Sequence, residues 1–132
     1  VWSVTSYKEL YKDAINISRL NMLHPGEEQQ PYVSKLLSQE RGVFIAASDY
    51  LKALPGSIAK WIPGEYVILG TDGFGRSDGR SQLRNFFEID ARYITVSALG
   101  ALAKSGKLKI DVVKKAIKEM EINPDKLNPQ IS

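Results

Sequence analysis

Residues able to do chemistry concentrate in one stretch of this sequence, Leu69-Gly70-Thr71-Asp72-Gly73-Phe74-Gly75-Arg76-Ser77-Asp78. Glycines ahead of a helix suit a phosphate loop, because the free N–H groups of a helix start attract anions. The dinucleotide fingerprint needs G-x-G-x-x-G, and Gly73-Phe74-Gly75-Arg76-Ser77-Asp78 places a carboxylate at the third glycine, where pyrophosphate would approach. Like charges argue against a nucleotide there, and no G-x-x-x-x-G-K-S/T occurs. Two readings stay open. In one, the glycines permit positive φ and Ser77 or Asp78 caps the following helix. In the other, the loop is a rigid platform presenting Asp72, Phe74 and Arg76 to another domain or subunit.

The remaining candidates are sparser. An imidazole suits a general base, but the single histidine, His24, stands beside Pro25-Gly26 with no nucleophile nearby in sequence, the setting of a hydrogen-bonded loop residue. Asp49, Asp72, Asp78, Glu88 and Asp90 offer carboxylates for pairing, but each falls at an expected helix start or loop, where capping accounts for most of them. With no Cys there is no disulfide, thiolate nucleophile or Cys-based metal site, which fits a reducing compartment such as the cytoplasm. One His excludes a multi-histidine metal centre. From Lys104 to Lys126 seven lysines meet four acidic residues, without clustered arginines or stacking aromatics, so a solvated face is expected rather than a nucleic-acid patch. Trp2, Trp61 and Tyr93 read as packing residues.

The whole chain of 132 residues, 43% hydrophobic and 25% charged, has room for one domain, and its net charge of +3 names no partner. Membrane spans, disorder and a signal peptide are not expected. The chain opens in mid-strand without an initiator Met, and reads as a piece of something longer.

The elements that must position these residues follow from periodicity. Trp2 and Val4 alternate with Ser3 and Thr5 as a short strand would. Ser6 and Glu9 form a capping box opening a helix that runs to about residue 20 through Leu10, Ala14 and Ile17. Pro31 starts a short helix ending near Arg41-Gly42. Val43-Phe44-Ile45-Ala46-Ala47 reads as a strand buried on both faces. Ser48 or Asp49 caps the next helix, which carries Leu51, Leu54, Ile58 and Ile62 and is kinked or split at Pro55-Gly56. Tyr66 to Leu69 is the third strand, and Ser77 or Asp78 caps a helix with Leu83, Phe86 and Phe87. Asp90 caps a long helix ended by Gly106, and Asp111 to Glu121 form the last, burying Val113, Ala116, Ile117 and Met120. This order predicts an α/β three-layer sandwich with a mostly parallel sheet. Three strands make it narrow, so a further strand upstream of Val1, or a partner at the open edge, is expected.

Composition and spacing name no activity, but the order of several short motifs is specific. The opening VWSVTS with Tyr7 and Leu10, Asn21-Met22-Leu23-His24-Pro25, Ser48-Asp49-Tyr50, LGTDGFGRSD from Leu69, Leu83-Arg84, Phe87-Glu88, Ala98-Leu99 and Asn128-Pro129 run across essentially the whole chain. Together they resemble the C-terminal part of the homodimeric, thiamine-diphosphate-dependent pyruvate dehydrogenases of bacteria. Phe74, Gly75 and Ser77 are also similar to the FG-x-S pattern of transketolase C-terminal domains.

The resemblance implies a transketolase C-terminal-like fold whose first strand lies upstream of Val1. It implies a parent enzyme that decarboxylates pyruvate and passes acetyl to a lipoyl group on the acyltransferase component. Thiamine diphosphate and Mg²⁺ then belong to the preceding domains of the same polypeptide, which carry the GDG motif with its later Asn, the pyrimidine-activating Glu and the active-site histidines. Gly70-Thr71-Asp72-Gly73 is like that motif only at first sight, because the helix and Asn that should follow are missing. The implied role is therefore support, with no catalytic, cofactor-binding or metal-binding residue and no cofactor bound by this chain alone. It packs on the pyrimidine-binding domain and helps hold the homodimer, with Asp72, Phe74, Arg76 and Ser77 facing the neighbour. Two other classes stay open: a stand-alone small-molecule-binding domain using the Leu69 to Asp78 strand end, and a regulatory module that binds another component through its lysine-rich last helices. Neither nucleic acid nor membrane is an expected partner.

Overall fold

The computed structural model describes residues 1–132. Its elements are α1 (Tyr7–Leu23), α2 (Tyr32–Leu37), β1 (Phe44–Ala47), α3 (Ala53–Gly56), a 3-10 turn (Ala59–Trp61), β2 (Tyr66–Leu69), α4 (Arg80–Phe86), α5 (Ala91–Lys104) and α6 (Ile110–Glu119). β1 and β2 pair in parallel, Phe44 opposite Tyr66 and Ala47 opposite Leu69, and each strand pairs along one edge only.

One face of this ribbon meets α1 to α3. Phe44 packs with Val33, Leu37 and Ile58, the buried cluster that Tyr7, Leu10, Trp61 and Ile62 surround. The Tyr66 hydroxyl donates to the Pro55 carbonyl at 3.1 Å, and burial pushes both the Tyr66 and Tyr7 phenols above the usual range. α5 covers the strands from the other side, with α6 packed on it. The layering is that of an α/β fold, built around a very short sheet.

Several expectations change. Residues 1–5 form no strand and are exposed, because no neighbouring strand supplies the ladder that an alternating segment needs. β1 is half-buried rather than covered on both faces, with only Ala46 buried and Ala47 exposed. The helix expected from Asp49 onward shrinks to one turn and a 3-10 turn around Pro55-Gly56. Neither Ser48 nor Asp49 caps it; Lys52 is its N-cap residue. α4 starts at Arg80 behind Gly79, two residues later than a Ser77 cap and one later than an Asp78 cap would place it, and has no side-chain cap.

The long helices form where expected, although α1 runs on to Leu23 and α6, over Ile110–Glu119, buries Val113 and Ala116 and leaves Ile117 and Met120 half-buried. The Ser6 hydroxyl accepts from the Glu9 N–H at 3.2 Å, while the Glu9 carboxylate turns away to Lys12 instead of closing the box. Gly106 ends α5 at φ 75, where Gly106 N donates to Ala103 O and Lys107 N to Leu102 O, a Schellman closure. α4 and α6 close the same way but with Glu88 (φ 62) and Glu121 (φ 53) in the left-handed position, which favours glycine. Glu121 is exposed, so Glu121→Gly is expected to stabilise the chain by about 0.5–1 kcal/mol. A urea midpoint at or below that of the wild type would contradict the strain.

Candidate functional site

Two loops leave the carboxyl ends of the strands, where open α/β sheets bind ligands. Residues 48–52 follow β1 and residues 70–79 follow β2, and they are laced together. Thr71 N donates to Tyr50 O at 2.9 Å, Thr71 Oγ1 to Asp49 O at 3.0 Å, and Lys52 N to Asp72 Oδ2 at 3.2 Å. Gly70 makes this possible, since a Cβ there would lie 2.6 Å from the Tyr50 carbonyl oxygen.

The chain's own tail closes the β2 end. Pro129 is buried, and a Cβ on Gly73 would meet Pro129 O at 2.6 Å. Arg76 Nη2 donates to Ser132 O at 3.1 Å while its guanidinium lies 4.3 Å from the Phe86 ring centroid. Lys126 fixes the tail further back. Its ammonium donates to Asn85 O at 2.8 Å and Phe86 O at 2.7 Å, carbonyls in the last turn of α4, and pairs with Glu88 at 3.5 Å. The space left among Leu69, Gly70, Asp72, Phe87 and Pro129 is about 40 Å³, room for one or two waters.

This arrangement separates the loop residues singled out by sequence. Phe74 is 82% exposed and Ser77 is exposed, whereas Asp72 and Arg76 are committed to Lys52 and to the tail. Asp78 accepts from Gly79 N at 2.6 Å, Asp49 pairs with Arg84 at 3.3 Å, and Glu88 holds Lys126. His24 closes α1 through its N–H to Leu20 O, and its side chain is exposed. Each of these carboxylates is thus engaged by a neighbour, although Asp49 and Asp90 line one cleft and Asp72 and Glu88 another.

Asp90 does what its position predicts. It accepts from Arg92 N at 2.9 Å and Tyr93 N at 3.2 Å, and pairs with the Arg92 guanidinium at 2.7 Å. Burial by itself would raise its pKa, but the hydrogen bonds from Arg92 and Tyr93 outweigh burial and hold it below the usual carboxylate range. A carboxyl whose folded pKa is depressed contributes stability above its unfolded pKa and loses it as pH falls through the folded value. Asp90→Asn keeps a capping oxygen and removes the charge. It is expected to cost about 1 kcal/mol at neutral pH and nearly nothing in acid below the carboxylate range; equal losses at both pH values, read from urea unfolding, would contradict this.

At the β2 end Asp72 accepts a main-chain hydrogen bond and the tail leaves only the small space described, while wider clefts of about 930 Å³ and 450 Å³ open beside Asp49, the first toward Arg84 and Asp90 and the second toward Gly75 and Arg76. No three His, Asp or Glu side chains converge as a metal site needs. What the carboxyl edge offers instead is a worked surface, rigid beneath and apolar at its tips. Tyr50 is 70% exposed and Leu51 54% exposed, and Phe74 projects from the β2 loop. Sequence reasoning placed this loop but missed the contribution of Tyr50, Leu51 and the tail, whose role depends on contacts 56 positions apart in the chain.

The family described as the transketolase-like TK C-terminal domain matches residues 1–90. The chain is 48% identical over 131 residues to the pyruvate dehydrogenase E1 component of Pseudomonas aeruginosa, covering 98% of this chain and 15% of that protein. It is 44% identical over 134 residues to the protein of the same name from Escherichia coli K12, covering 100% of this chain and again 15% of the relative. That from Cupriavidus necator is 44% identical over 130 residues, 98% of this chain and 14% of the relative. The chain thus spans about 15% of the length of the curated relatives it matches. No helix is long and apolar enough to cross a membrane. With its α/β layering, its Gly-rich strand-end loop and this match over two thirds of its length, the chain belongs to the family of transketolase-like C-terminal domains.

Proposed function

We propose that residues 1–132 are one domain of a longer pyruvate dehydrogenase, and that the domain supports the enzyme without performing its chemistry. The parent decarboxylates pyruvate with thiamine diphosphate and Mg²⁺ held by the preceding domains. It passes acetyl to a lipoyl group on the acyltransferase component. It works in the cytoplasm as a homodimer. Phe74 and Ser77 face the neighbouring domain or subunit, with Asp72 and Arg76 holding the loop in shape behind them.

One observation carries the supporting role. The chain exposes 9286 Å², whereas a self-contained protein of 14.7 kDa exposes about 6,900 Å². The excess of roughly 2,300 Å² is well beyond the ~800 Å² per partner of a standard complex, and it includes Trp2, Tyr50, Leu51 and Phe74. A surface of that size and character suits a permanently covered domain. The pyruvate chemistry rests on the likeness to relatives named pyruvate dehydrogenase E1 component.

The test uses the full-length polypeptide, assayed for carbon dioxide release from pyruvate with added thiamine diphosphate and Mg²⁺. Phe74→Ala with Arg76→Ala is expected to weaken the dimer and lower activity about tenfold, the effect of losing an aromatic anchor and its support. Unchanged dimerisation and activity would refute the role of the loop, and an inactive wild-type polypeptide would refute the enzyme.

A further inference from the structure

Beside the Gly-rich loop, between α1 and α3, lies an apolar groove of about 470 Å³ lined by Lys8, Tyr11, Tyr50, Leu51 and Leu54. The sequence reading did not single it out. Its walls are preformed. The Tyr11 ring stands edge-on to Trp61 at 6.1 Å, the Tyr50 main chain is held by Ser48 Oγ and Thr71 N, and Ser57 Oγ donates to the Leu54 main-chain carbonyl at 2.6 Å. Yet Tyr11 and Leu54 are each 40% exposed. Rigid apolar walls left open are the mark of a docking surface, since little ordering entropy remains to be lost on binding.

The rim carries a charge preference. Lys8 lines the groove, and its ammonium has no carboxylate within ion-pair distance. The nearby acids are already engaged: Glu9 with Lys12, Asp49 with Arg84, and Asp72 with Lys52 N. A complementary partner therefore brings an apolar side chain for the groove and a carboxylate for its rim. The approach of the chain narrows the source. Trp2 and Val4, 49% and 40% exposed, lead into the same end of α1 that supplies Lys8 and Tyr11. Polypeptide upstream of Val1 thus enters beside the groove at high effective concentration.

We infer that the α1–α3 groove is occupied by an apolar, carboxylate-bearing segment from the preceding part of the same subunit, making the docking face continuous from Phe74 to Tyr11. This rests on the reading that the chain is a domain of a longer polypeptide. Hydroxyl-radical footprinting of the full-length protein tests it, together with zero-length carbodiimide cross-linking of a dimer assembled from isotopically light and heavy subunits. Tyr50 and Leu51 are expected to be labelled about tenfold more slowly than in the urea-unfolded polypeptide, as contacts that exclude water require. Lys8 is expected to join an Asp or Glu outside residues 1–132 within one subunit. Rapid labelling of the groove overturns the inference, as does a Lys8 link to another subunit, or protection without any Lys8 link. Pyruvate decarboxylation by the same preparation reports separately on the underlying reading, so the two can fail independently.

Discussion

Gly73→Ala is expected to cost about 3 kcal/mol, within the range of severe backbone effects. Two causes add. Gly73 sits at φ 109, which L side chains rarely adopt, and its new Cβ would lie 2.6 Å from Pro129 O and 3.0 Å from the Gln130 Cα. Both neighbours are main chain and neither has a rotamer to change. The tail must lift away, and with it go the Arg76 bond to Ser132 and the packing of Pro129. The measurement is a urea melt paired with limited proteolysis: a lowered midpoint and early cleavage after residue 122 are expected. An unchanged midpoint with a protected tail would show that the loop tolerates a side chain, and that the strand end is not closed in the way described.

Ile58→Ala is the second large effect, again about 3 kcal/mol and within the span for buried isoleucine truncations. Ile58 is 3% exposed and one of only three buried residues in the cluster with Val33 and Leu37. It joins the turn after α3 to α2 and to Phe44 of β1, so its loss loosens one whole face of the sheet. For a domain whose total stability is of order 5–15 kcal/mol, that is a large share. Denaturant unfolding should show it, and a loss below about 1 kcal/mol would mean that the surrounding side chains collapse into the space.

The parts of the fold legible in the sequence were those decided by local chemistry. β1 and β2 stand out as short apolar runs, Ser6 and Asp90 cap their helices, and Gly106 ends α5, because each signal and its partner lie within a few residues. The segment Trp2 to Thr5 carries the same kind of local signal, but a strand also needs a partner at a distance. The cap of α4 failed for a related reason. Ser77 and Asp78 are good cap types, yet the chain stays extended through Gly79 at ψ 150 before it turns. At the candidate site, position was legible and orientation was not. A Gly-rich loop at a strand end announces itself, but that Asp72 bonds the neighbouring loop and Arg76 the tail while Phe74 projects depends on Lys52, Phe86 and Ser132. No periodicity marks the tail, where Lys126 and Pro129 act through contacts with residues around Gly73 and Phe86.

The unpaired outer edges of β1 and β2 bear on how this sequence behaves when released from its neighbours. Gly42-Val43-Phe44-Ile45-Ala46-Ala47 is a six-residue stretch without charge or proline, the composition from which cross-β fibrils are seeded. Arg41 and Asp49 flank it as gatekeepers, and Glu65 stands before β2, but flanking charges only slow the stacking of open edges. The isolated chain of 132 residues is thus expected to be prone to self-templated aggregation. A strand or helix laid along these edges would keep the sequence out of that state.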